Sequence, residues 1–177
     1  FDSTTWKDYM PLIFQWCIQA VGEREVNFHR INMALSILQF RQSQLIQSKS
    51  KKFKQFKADL ENKIIDFVYS MSEVLNYRNE ENSKGSIYDV NNFLVLISRL
   101  YSIKLFVVSS YLRRLIASGV IYLSDPDRTC YIHILILNLF SSLNDSNLKS
   151  ILKRLMDSTK ITIDNHDLTS IKESLST

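Results

Sequence analysis

The chain has 177 residues with 22 Lys and Arg against 18 Asp and Glu, and 45% of it is hydrophobic, enough for one substantial core and too much for disorder throughout. Only 3 Gly and 2 Pro are present, too few for a sandwich or barrel, whose tight turns draw on both. No apolar run approaches the ~20 residues of a membrane span, since the longest, Ile132 to Phe140, is interrupted by His133 and Asn138. The chain opens at Phe1 without a leader and stops just after the amphipathic stretch Leu168 to Leu175, which suggests a piece excised from a larger intracellular protein.

From Thr5 to Val21, Trp6, Tyr9, Met10, Ile13, Phe14, Cys17 and Ile18 recur at helical spacing, with Ser3 or Thr4 as cap and Gly22 as stop. Pro11 inside this run removes a backbone donor, so the helix kinks there or begins there. A second helix spans about Asn27 to Gln47, with Ile31, Ala34, Leu35, Leu38 and Leu45 on one face. The lysine-rich stretch Ser48 to Lys57 reads as a polar connection. A third helix starts from Leu60, with Ile64, Phe67, Val68, Met71, Val74 and Leu75 in register.

Asn76 to Ser86 is a polar loop containing Gly85, and it separates a first helical segment, 1–80, from a second, 87–177, unless the two form one continuous domain. Asp89 caps a fourth helix carrying Phe93, Leu94, Ile97, Leu100 and Tyr101. A fifth, about Leu105 to Ser118, ends where Gly119 supplies a left-handed cap. Ser124, Pro126 and Asp127 open a sixth helix that runs to Phe140, apolar around most of its circumference and therefore central. Asp145 caps a seventh, with Leu148, Ile151, Leu152, Leu155 and Met156 on one stripe and Lys149, Lys153 and Arg154 opposite. Asn165 to Leu175 gives a last short helix. The fold class is all-α, an irregular or HEAT-like array of about seven to eight helices.

Enzyme chemistry finds little to stand on. Gly22, Gly85 and Gly119 are isolated, so no phosphate-binding loop can be built. His29, His133 and His166 match no metal-site spacing, and neither a cofactor nor a metal is implied. Cys17 and Cys130 lie in apolar contexts without CxxC spacing and read as buried, reduced thiols. Cys130 and His133 share one helix face, but no oxyanion donor or acidic orienter accompanies them, and a packed, hydrogen-bonded histidine is the simpler reading. The acids Asp89, Asp127 and Asp145 sit at helix starts, where the helix dipole favours them.

Two basic features remain. Lys49, Lys51, Lys52, Lys54 and Lys57, interleaved with Phe53 and Phe56, are a candidate patch for an acidic partner or nucleic acid, the plainer alternative being a solvated connection whose phenylalanines turn inward. Arg113 and Arg114 are candidate surface contacts. Their helix, followed by Gly119 and the β-prone Val120 to Leu123, could be the recognition helix and wing of a nucleic-acid-binding winged-helix domain, or simply a packed helix turning a corner.

The block Ile13-Phe14-Gln15-Trp16-Cys17-Ile18, followed by His29-Arg30, a run of aliphatics and Arg41-Gln42, resembles the Leu-Cys-Glu-Trp-Ala-Val domain of the family of twelfth subunits of the Mediator kinase module. Trp16 is the identical residue of that signature. Gln15 stands in place of the acid, Cys17 in place of the alanine, and Ile13 and Ile18 are conservative changes. Ser109 to Gly119 is similar to a second family feature, a serine-tyrosine helix ending in leucine-isoleucine-alanine-x-glycine. The resemblance implies a nuclear, non-enzymatic helical scaffold in RNA polymerase II transcription. Its implied partners are a cyclin-dependent kinase, its cyclin C and the thirteenth Mediator subunit. The family's kinase-activating N-terminal segment finds no match here. The matched residues Trp16, Leu35, Leu112, Leu115 and Ile116 are mainly of core type, so they speak for fold more than for a site.

Overall fold

The computed structural model describes residues 5–20, 27–47, 52–76, 88–120, 130–141 and 146–159. Among them are seven helices: α1 (Thr5–Ile18), α2 (Phe28–Gln47), α3 (Lys52–Asn76), α4 (Val90–Ser102), α5 (Val108–Ala117), α6 (Cys130–Leu139) and α7 (Ser146–Thr159). The described residues contain no strand, only an isolated antiparallel bridge between Gln19 and Tyr88, and the all-α expectation holds. The chain divides into two compact units, residues 1–68 with 86–106, and residues 69–85 with 107–177.

In the first unit α1 packs on α2 and α4, and α2 packs on α4. Its core holds a run of three rings, Phe14 to Phe67 at 5.2 Å and Phe67 to Phe93 at 6.1 Å between centroids, tilted in the manner aromatic quadrupoles favour. Around them Ile31, Ala34, Leu38, Ile64, Leu94, Ile97 and Leu100 are buried, each large aliphatic contributing about 1.5–3 kcal/mol of transfer free energy. Helix α1 runs from Thr5 straight through Pro11, so it does not begin at the proline. The missing donor leaves the Lys7 carbonyl without its usual partner four residues on.

Helix α3 starts at Lys52, not at Leu60. Lysine is a good helix former, and Phe53, Phe56 and Leu60 carry the apolar stripe backward at three- and four-residue steps. Phe53 and Phe56 are half-buried and Leu60 is buried, so a stretch that reads as a connection by its charges is a helix by its phenylalanines. At the start of α4 the Asp89 carboxylate accepts from the Asn92 backbone N–H at 2.9 Å, the expected cap. At its end Lys104 N–H bonds to Tyr101 O at 2.8 Å and Leu105 N–H to Leu100 O at 2.9 Å. Together they form a Schellman motif whose left-handed position, φ 61°, is filled by lysine instead of glycine. Because Leu105 and Phe106 both bond back to Leu100, α5 begins only at Val108, three residues later than its periodicity suggests.

In the second unit α6 packs on α7. Ile132, His133, Ile134, Leu135, Ile136, Leu137, Leu139 and Phe140 are all buried, as a central helix requires. Leu148, Ile151 and Leu155 form the inward stripe of α7, while Lys149, Lys153 and Arg154 are exposed. Helix α5 ends at Ala117, and just past its Ser118 cap Gly119 takes φ 71°, its N–H bonding to Ile116 O at 3.1 Å, so the left-handed residue is in place. The expected stop at Gly22, the loop after Asn76, the capping signals at Ser124 to Asp127 and at Asp145, and the helix Asn165 to Leu175 lie outside the described residues.

Candidate interaction site

One buried amide organises the polar part of the first unit. Asn92, 1% exposed, accepts from the Asn27 backbone N–H through Oδ1 at 2.6 Å and donates through Nδ2 to the Gln19 carbonyl at 3.4 Å. Asp89 N–H bonds to Ile18 O at 2.8 Å. The end of α1, the entry to α2 and the start of α4 are thereby tied at one point, and backbone groups that neither helix satisfies internally find partners there. The sequence carries only a weak hint of this, an asparagine among apolar residues in the first turn of a helix.

Beside that knot, Trp16 does not enter the core as its residue type suggests. It is 37% exposed, the Arg30 guanidinium lies 5.1 Å from its ring centroid, and Arg30 Nη1 donates to the Trp16 carbonyl at 3.3 Å. Arginine over indole is favourable where both are partly wet. Ile116 is likewise 44% exposed, whereas Leu35, Leu112 and Leu115 are buried. The resemblance-bearing residues are thus divided between core and surface. Cys17 is buried and donates weakly to the Arg30 carbonyl at 3.5 Å. Burial pushes its thiol up to about 12, with the Arg30 charge pulling the other way.

The basic candidates belong to different units, Lys52, Lys54 and Lys57 to the first and Arg113 and Arg114 to the second. Lys49 and Lys51 lie outside those residues, Lys52 opens α3, and Lys54 and Lys57 are exposed on its first turns. Arg113 and Arg114 are exposed on α5, Arg113 bonding within its own helix to the Ser109 carbonyl at 3.4 Å and the Ser110 hydroxyl at 3.1 Å. Residues 121–123, the wing of the winged-helix reading, are not among the described ones.

In the second unit His133 is 1% exposed and its Nδ1 shares a 2.7 Å hydrogen bond with the Tyr111 hydroxyl. The Tyr69 ring lies 5.0 Å from the imidazole, and its hydroxyl bonds to Ser118 Oγ at 3.2 Å. Burial lowers the His133 pKa to about 4 and raises that of Tyr69, against the Ser118 bond and the Arg114 charge. A general base works best near the operating pH and a thiol nucleophile needs a lowered pKa. His133 and Cys17 are both moved the wrong way for those roles, and each is hydrogen-bonded within the fold, to the Tyr111 hydroxyl and to the Arg30 carbonyl. No group of three His, Cys, Asp or Glu among the described residues could hold a metal ion.

No family model and no solved structure matches the chain. It is 29% identical over 162 residues to Mediator of RNA polymerase II transcription subunit 12 of Scheffersomyces stipitis, an overlap of 84% of this chain. It is also 29% identical over 160 residues, again 84% of the chain, to the protein of the same description from Debaryomyces hansenii. A likeness of that coverage must run past Gly119 into the C-terminal third, where neither sequence block reaches. The chain spans about 9% of the length of each relative. Over most of its own length it is therefore similar to one short segment of subunit 12, the family that the sequence resembles.

Proposed function

We propose that this chain is a non-enzymatic scaffold segment of the Mediator kinase module, acting in transcription by RNA polymerase II through protein–protein contacts in the nucleus. The observation that carries the reading is the similarity to subunit 12 over 84% of the chain. The partners this implies are the cyclin-dependent kinase, its cyclin C and the thirteenth subunit, and the mechanism is placement, with exposed helix faces docking neighbouring subunits. The upward shift of Cys17 and the downward shift of His133 fit a chain that performs no covalent chemistry. On this reading the helical segments 1–80 and 87–177 act together as one continuous scaffold.

The test is co-purification of the tagged 177-residue chain with kinase-module subunits, set beside its retention on duplex DNA at moderate salt. Recovery of the module and no retention on DNA is the expected result. Retention on DNA that depends on Lys54, Lys57, Arg113 or Arg114, without recovery of the module, would reverse the assignment in favour of nucleic-acid binding.

A further inference from the structure

Helix α2 buries Ile31, Ala34 and Leu38 but also carries a second set of large apolar side chains on its outer side, Met33 at 45%, Ile37 at 46% and Phe40 at 66% exposure. At 100° per residue these three fall within about 60° of one another, spaced four and three apart, and Arg30 and Arg41 both lie along one edge of that stripe. Arg30 in turn lies over the part-exposed Trp16 of α1. Scattered exposed apolar residues are ordinary, but a stripe of this size on one helix face marks an interaction surface.

Charge decides what fits it. Residues 28–58 contain seven Lys and Arg, namely Arg30, Arg41, Lys49, Lys51, Lys52, Lys54 and Lys57, and no Asp or Glu. Arg30 and Arg41 are eleven positions apart, roughly 16 Å along the helix at ~1.5 Å per residue, so about three turns of a partner helix would lie between them. An antiparallel second copy of this chain would bring arginines against arginines along that edge, which electrostatic complementarity disfavours, and a parallel one would leave them without acids to pair with, since α2 has none. We infer that the outer face of α2, from Arg30 to Arg41 with Trp16 beside it, docks an amphipathic helical segment of a partner protein whose apolar stripe is flanked by Asp and Glu. Met33, Ile37 and Phe40 take the apolar stripe as a helix laid against a helix does, and the arginines pair with the flanking acids. This names a partner class for the scaffold reading and rests on that reading only for its biological setting.

The experiment uses the whole 177-residue chain and two synthetic helical peptides with the same leucine and phenylalanine stripe, one carrying glutamates on its flanks and the other lysines. Fluorescence anisotropy should show binding of the glutamate peptide and not of the lysine peptide. The pair Ile37→Ser and Phe40→Ser should weaken it at least about tenfold, as loss of central anchors does. Both residues are exposed, so the variant should fold, which circular dichroism is to check. Arg41→Glu should weaken the glutamate peptide and bring the lysine peptide up to measurable affinity, a reversal that a merely structural arginine would not give. Equal binding of the two peptides, or no effect of the Ile37 and Phe40 changes, overturns the inference. So does a light-scattering mass showing a dimer that Phe40→Ser dissociates, or displacement of the peptide by an oligonucleotide that ignores Ile37 and Phe40. Tight binding that appears only after removal of residues 160–177 would make the chain's own tail the occupant and overturn it as well. Peptide binding without recovery of kinase-module subunits would count against the Mediator reading alone, whereas recovery of the subunits without peptide binding would count against this inference alone.

Discussion

Lowering the pH should destabilise this chain through His133. The folded imidazole is buried and held neutral with its pKa near 4, while in the unfolded chain it titrates at about 6.5. Between these two values the unfolded state binds more protons than the folded state, so stability falls as acid is added through that window. The contribution is fully present above about pH 6.5 and exhausted below about pH 4. Linkage gives a loss of about 2 kcal/mol on going from about pH 8 to about pH 5, approaching roughly 3 kcal/mol at about pH 4.

Urea denaturation of the wild type and of His133→Gln across this range isolates the effect, because other groups titrate in both proteins and cancel in the difference. Glutamine keeps a polar atom for the Tyr111 hydroxyl, so the difference reports the titration and not only a broken bond. The wild type should lose about 2 kcal/mol more than the variant between about pH 8 and about pH 5. In proton NMR one of the three histidines should remain neutral to about pH 4 and disappear in the variant. Parallel stability curves, or a His133 signal titrating near the unperturbed value, would show that the imidazole is wetter than its burial implies and refute the reasoning.

Asn92→Leu keeps the volume but strips the Asn27 N–H and the Gln19 carbonyl of their partner, and should cost about 3 kcal/mol by chemical denaturation, far more than an exposed asparagine would. Asp89→Ala removes the side-chain cap of α4 and should cost about 1 kcal/mol in the same assay. Lys104→Gly relieves a left-handed residue at the end of α4 and should raise stability by about 0.5–1 kcal/mol, seen as a higher denaturation midpoint. In a Cys130→Ser background, Cys17, with its thiol raised to about 12, should react with iodoacetamide at about pH 8 at least ~100-fold more slowly in the folded chain than in urea.

The helices and their buried faces were largely legible because a 3.6-residue apolar period leaves a direct trace in the sequence. Ile31, Ala34, Leu38, Ile64, Met71, Leu94, Ile97 and Leu148 are all buried where the spacing puts them. Asp89 and Gly119 were legible for a different reason, since a cap needs one residue type at one position. The start of α3 was not, because five lysines outweigh two phenylalanines in any composition window although the phenylalanines set the register. Nor was the end of α4, where lysine takes the conformation that a search for glycine would look for. Asn92 and the Tyr111–His133 pair depend on partners 65 and 22 positions away, and no local pattern encodes a partner at that distance.

Trp16 shows most clearly what residue type leaves undecided. An indole beside Cys17 and Phe14 at helical spacing reads as core, yet it lies one position beyond the inward stripe of α1, and the Arg30 guanidinium covers its outer face. Indole tolerates that position because it has an apolar body and a polar edge. The residue on which the family resemblance rests most directly therefore stands where core gives way to surface, next to an outer face of α2 that is apolar, basic and free of acids. Phe14 and Cys17 of the same block face inward and hold α1 in place, so a single short block contributes both to the core and to the exposed surface.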